Sequence, residues 1–158
     1  MATLRPNWTE RVARWQELTT LTLVLAGAFA IPLVFLRDPA DMFRLSKAIF
    51  LRAEAILLVG VALAGYLLGA PLPRLRWRDP WLLIPFAAFA AFLLATVTST
   101  NVALSLGTLG SALATMVVFF ATVSAARRHG WMLLTAPLAA AVLNALLCLL
   151  YTSDAADE

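Results

Sequence analysis

The sequence predicts an all-α fold: a polytopic integral membrane helical bundle of about five transmembrane helices, truncated at its C-terminal end. Three observations predict it. The 158-residue chain is 62% hydrophobic and only 13% charged, whereas a soluble domain averages about 25% charged and about 45–50% apolar residues. Its apolar residues gather into five runs, each near the roughly 20 residues that carry a helix across a hydrocarbon core of about 30 Å. Its basic residues sit in short clusters between those runs. A sequence pI near 9.8 therefore points to membrane topology rather than to a phosphate-binding face, and no nucleic-acid partner is expected. Disorder is excluded, because it requires low hydrophobicity and high net charge.

The first span is expected at 18–36, "LTTLTLVLAGAFAIPLVFL". Its apolar stretch exceeds the 7–15 residues, roughly, of a signal-peptide core, and Arg37-Asp38-Pro39 is a poor cleavage site, so it reads as a retained helix. The second is expected at 48–68, the third at 81–97, the fourth at 109–126 and the fifth at 131–147. Hydrocarbon offers no partner to a free backbone group, so each span should be helical. Pro32, Pro85 and Pro137 fall inside spans, where local kinks are tolerated.

Topology follows from the Lys and Arg in short loops. Arg5, Arg11, Arg14, Arg74, Arg76, Arg78, Arg127 and Arg128 fall on one side, and only Arg37, Arg44 and Lys47 on the other. The richer side should be cytoplasmic, which places the N-terminus inside and the loops at 37–47 and 98–108 outside. Trp15, Trp77, Trp81 and Trp131 flank spans, where indoles favour the interface.

The end of the chain, "CLLYTSDAADE" over 148–158, resembles the translation of a sequencing-library transposon adapter, codon for codon. The natural sequence is then expected to end at Leu147, as the N-terminal fragment of a longer protein. A scar of this kind is excluded from fold reasoning. The single Cys148 in any case makes no internal disulfide and no metal cluster. No metal or cofactor is expected.

Few residues carry chemistry. Gly107 and Gly110 in "SLGTLGSA" lack the Lys-Ser/Thr of a phosphate loop. Gly60 and Ala64 have small-xxx-small spacing, a weak signal in so alanine-rich a chain. His129, after Arg127-Arg128, reads as an interfacial residue rather than a catalyst. The second span is more informative, because Arg52 and Glu54 lie within it and intramembrane charge is costly. Arg52 has two readings. In one it snorkels to the outer interface about one turn away. In the other it binds a lipid phosphate, for which its planar fork is suited. Glu54 is expected to pair with a neighbour in the bundle, and not with Arg52, since residues two apart face different ways.

Two stretches resemble a known family. "RDPADMFRLSKAIFLR", 37–52, is similar to the Asp-x-Phe-x-x-x-Lys stretch that opens the second helix of the O-antigen ligase and polymerase superfamily; the matching positions are Asp41, Phe43 and Lys47, with Ser46 where the family often has Pro. "ATVTSTNVALSLGTLGSALATMVVFF", 95–120, resembles the family's third-helix end, its short polar outer loop and the glycine near the start of the fourth helix. The resemblance implies a multi-pass bacterial inner-membrane glycosyltransferase of the cell envelope, acting in lipopolysaccharide biosynthesis. Such proteins transfer or polymerise glycans from an undecaprenyl-pyrophosphate carrier at the periplasmic face, without a metal. The expected partners are membrane lipid and the carrier-linked glycan, with Lys47 and Arg52 as candidate lipid-pyrophosphate-binding residues. The family's catalytic His and Arg lie on a loop far downstream, so no catalytic residue is assigned here and the fragment alone is expected to be inactive.

Two other readings compete: a fragment of a transporter or another polytopic protein, which should show inverted repeats and interrupted helices, and a complete small membrane protein, against which the adapter-like tail argues.

Overall fold

The computed structural model describes residues 6–33, 42–71 and 83–154. Four helices make up these segments: α1 (Pro6–Leu33), α2 (Met42–Leu67), α3 (Leu83–Val97) and α4 (Val102–Asp154). Stretches of α1, α2 and α4 are long and apolar enough to cross a membrane, and α3 is a shorter apolar helix. The all-helical membrane architecture is thus the one the composition predicts. Helices and spans differ in extent, however. The apolar runs mark what lipid can hold, whereas helical hydrogen bonding continues into the polar flanks: α1 begins at Pro6, not at residue 18, and α2 at Met42, not at residue 48.

The fourth and fifth expected spans lie on one 53-residue helix. Straight, it would reach about 80 Å, more than twice the hydrocarbon thickness. It is interrupted at His129, whose φ of −128° and ψ of 34° are non-helical. Pro32 and Pro137, by contrast, are accommodated inside helical stretches. No break separates Leu147 from Cys148, and the helix runs on to Asp154.

α4 is the organising element. It packs against α1, α2 and α3, and among the described residues α3 touches α4 alone. The core is thin and built of small or medium side chains: Val12, Leu21 and Val24 from α1, Ala55 and Leu58 from α2, Ala114, Ala125 and Ala140 from α4. Ala114, Val118, Ala121 and Ala125 step along α4 at four- and three-residue intervals, the repeat that keeps one face toward a partner helix. Small residues at such faces let backbones approach closely, the main source of packing energy between helices in lipid. Large apolar side chains point outward, Ile56, Leu67, Leu94, Val97 and Trp131 among them. In water this surface would be an aggregation liability; in hydrocarbon it is the solvent-facing side.

The spans also hold many hydroxyls, and helical geometry satisfies them locally. Thr19, Thr22, Thr96, Thr108, Thr115 and Thr122 each donate to the carbonyl four residues earlier. Each hydroxyl therefore enters the bilayer with its proton already bonded.

α1 and α2 pack closely at two glycines. The Glu54 carboxyl lies on the backbone of Gly27, and the Gln16 side-chain amide lies on that of Gly65. Gly60 faces open space instead, so the Gly60–Ala64 spacing marks no helix contact among the described residues. α2 ends in a Schellman motif: the Gly69 N–H donates to the Tyr66 carbonyl at 3.0 Å and the Ala70 N–H to the Gly65 carbonyl at 2.9 Å. The motif requires a left-handed residue, supplied by Gly69 at φ 87°.

Candidate functional site

The candidate site lies where the first half of α2 meets the start of α4. A short polar turn, Thr98–Asn101, joins α3 to α4. Asn101 caps α4: its Oδ1 accepts from the Leu104 N–H at 3.3 Å, satisfying one of the orphan amides of the first turn. Ser99 Oγ accepts from the Asn101 N–H at 3.2 Å, and Ser105 Oγ lies 2.6 Å from Ser99 Oγ. These contacts join α3 and α4 tightly and set the position of Gly107 and Ser111 about two to three turns further on.

Arg52 reaches across to them. Its Nη2 donates to the Gly107 carbonyl and to Ser111 Oγ, the latter at 3.0 Å. The guanidinium lies against Gly110, where a Cβ would stand 3.7 Å from Cζ, an ordinary contact. The Arg52 side chain bonds the first turns of the neighbouring helix α4. The reason is energetic. A carbonyl and a hydroxyl on a neighbouring helix supply the partners that an arginine in lipid otherwise seeks in the headgroups. Arg52 Nε remains buried without a hydrogen-bond partner, so the fork keeps an unused donor.

Lys47 sits five residues earlier on α2 and is half-buried. Five residues are about 7.5 Å along a helix and about 140° around it. Lys47 and Arg52 thus share one end of α2 but not one face. Asp41 and the side chains of Phe43 and Arg44, the rest of the second-helix motif, lie outside the described residues, as do Arg74, Arg76, Arg78, Trp77 and Trp81.

Glu54 faces away from Arg52. It is 8% exposed, and neither carboxylate oxygen has a hydrogen-bond partner. Among the described residues the carboxylate pairs with no neighbour in the bundle. At the opposite end of the bundle, Glu17 of α1 gathers two partners from the α4 interruption: Arg128 Nη1 at 2.8 Å and His129 Nε2 at 3.5 Å. His129 thus sits at a helix junction beside the Glu17 carboxyl. Among the described residues there is no cluster of three or more His, Cys, Asp or Glu able to hold a metal ion.

Gly107 and Ser111 are the residues that sequence reasoning missed as Arg52 partners. Both stand in the 95–120 stretch already singled out, yet nothing in the one-dimensional pattern reports that its fourth-helix part faces position 52. Comparison with protein-family models, with curated proteins and with solved structures gives no match.

Proposed function

We propose that this chain is the N-terminal part of an inner-membrane O-antigen ligase-like glycosyltransferase with its N-terminus in the cytoplasm and five crossings, two of them formed by the halves of α4. In this reading, the end of α2 and α4 that carries Lys47 and Arg52 faces the periplasm and takes the pyrophosphate of a polyprenyl-linked glycan. The observation that supports the reading is the contact of Arg52 with Gly107 and Ser111, because it joins the two stretches, 37–52 and 95–120, on which the family resemblance rests. An arginine anchored through Nη2 holds its guanidinium at this end of α2, and a planar fork of that kind suits a phosphate oxygen. Catalysis itself is assigned to downstream parts of the parent protein.

The test uses the uninterrupted gene, sequenced across the Leu147 codon by a transposon-free method and expressed in bacterial membranes. A frame that continues into further spans and a large outer loop, with glycan transfer lost on combining Lys47→Glu and Arg52→Glu, is the expected result. Unchanged transfer in the double variant sinks the binding role. A frame that itself encodes 148–158 and stops sinks the fragment reading. The transporter reading is favoured by one observation only, the unpartnered Glu54 in the middle of a span.

A further inference from the structure

We propose that Glu54 is a proton-binding site inside the membrane, buried beside an open cavity between α1, α2 and α4. The cavity has a volume of about 230 Å³ and is bounded by Glu54, by Val24, Gly27, Ala28, Ile31 and Pro32 of α1, and by Val118, Thr122 and Leu133 of α4. Glu54 stands six residues beyond the start of the apolar run at 48–68, or about 9 Å along the helix axis. That depth puts it past the reach of lipid headgroups and well inside a core of about 30 Å.

The cavity wall is almost wholly apolar and supplies no donor to Glu54. Both Glu54 oxygens are unpartnered. Pro32 has no N–H, so the Ala28 carbonyl four residues earlier loses its helical donor, and Ala28 lines the same cavity next to Gly27, on which the Glu54 carboxyl lies. The Thr122 hydroxyl has already given its proton to the Val118 carbonyl at 2.8 Å, which leaves only its lone pairs. A proton on Glu54 converts the carboxylate into a donor for these acceptors and removes a charge that costs several kcal/mol to hold unpaired in the interior. A hard metal cation is a poor alternative, because such ions take about six or more oxygen ligands.

Among the described residues no competing titratable group lines the cavity. The α1 and α4 walls are apolar apart from Thr122. Arg52, on the same helix, is turned to Gly107 and Ser111. The inference stands on this geometry and does not depend on the glycosyltransferase reading.

The experiment is infrared difference spectroscopy of the full chain in liposomes, titrated from acid to alkaline pH, with dicyclohexylcarbodiimide labelling read by mass spectrometry. The reagent reports the protonated acid. Glu54 O–H adds across one C=N bond, the oxygen going to carbon and the proton to nitrogen; the acyl group then moves from oxygen to the second nitrogen. The product is an N-acylurea that retains every atom of both reactants. We expect a protonated-carboxyl stretch that disappears reversibly as pH rises, falling about tenfold for each unit above its midpoint, with labelling at Glu54 falling in parallel. Glu54→Gln should lose both signals and Glu54→Asp should keep them. A carboxyl stretch that never changes with pH, a carboxylate that never protonates, or labelling confined to the exposed Glu10 would each overturn the proposal. If Glu54→Gln fails to fold, the wild-type and Glu54→Asp titrations still decide it.

Discussion

The Glu54 carboxyl occupies the space where a Cβ would stand at Gly27. Gln16 does the same at Gly65. Gln16 to Gly27 on α1 and Glu54 to Gly65 on α2 are the same eleven-residue step, close to three turns at about 3.6 residues each. Each helix thus inserts one polar side chain into a glycine of the other, and the two insertions together fix an antiparallel register.

This register predicts a pairwise rescue. Gly27→Ala should weaken the α1–α2 contact by about 1–3 kcal/mol, the usual cost of overpacking. Glu54→Ala should relieve most of that loss, and Gln16→Ala should not. For Gly65→Ala the partners exchange: Gln16→Ala rescues and Glu54→Ala does not. Denaturation in mixed micelles, analysed as two double-mutant cycles, measures the coupling. Rescue by the wrong partner would show that the register is different.

Gly69 carries a separate prediction. At φ 87° the backbone is left-handed, and the nearest atom to an added Cβ, Thr9 Cγ2, is 3.8 Å away. Space is available, so any penalty comes from the backbone. Gly69→Ala should destabilise by about 1 kcal/mol and Gly69→Asn by less, because asparagine tolerates this conformation better. Equal effects of the two substitutions on thermal stability in detergent would argue against the Schellman cap.

The Arg52–Ser111 hydrogen bond should be a modest one. Side-chain hydrogen bonds within membrane bundles average about 0.6 kcal/mol and reach about 1.7. Ser111→Ala and Arg52→Ala should couple by that amount in a cycle, and Arg52→Lys should lose the contact despite keeping the charge, since a lysine lacks the planar fork. Additive effects of the two alanine substitutions would place Arg52 elsewhere.

Glu17 joins α1 to the α4 interruption through Arg128 and His129. The Arg128 side chain is 73% exposed, so its pair should contribute at most about 1 kcal/mol and be screened by salt. Glu17→Gln is expected to lower the melting temperature in low salt and to have little effect in high salt. A loss that persists at high salt would mean that Glu17 acts through packing rather than charge.

Some of this was legible in the sequence and some was not. The apolar run at 48–68 lies within a helix, but that helix begins at Met42, because hydropathy measures compatibility with lipid while backbone hydrogen bonding is indifferent to it. Prolines were the expected bending points, yet the non-helical residue in α4 is His129; membrane helices absorb a proline by local adjustment. Gly60 had a recognisable motif spacing and faces nothing, whereas Gly27 and Gly65, without one, receive the two side chains. Spacing within one helix reports which residues share a face, not which face meets a neighbour.

The sequence by itself determined the solvent and the secondary structure: lipid because the runs are long and uncharged, helices because lipid leaves the backbone no other partner. It also marked Arg52 and Glu54 as residues needing an explanation. Only the tertiary structure decided what each explanation is. Two positions apart on one helix, Arg52 meets a carbonyl and a hydroxyl of α4, while Glu54 meets the bare backbone of Gly27 and a cavity. The difference arises from the rotation of α2 between α1 and α4, a packing choice made by contacts distant in the chain.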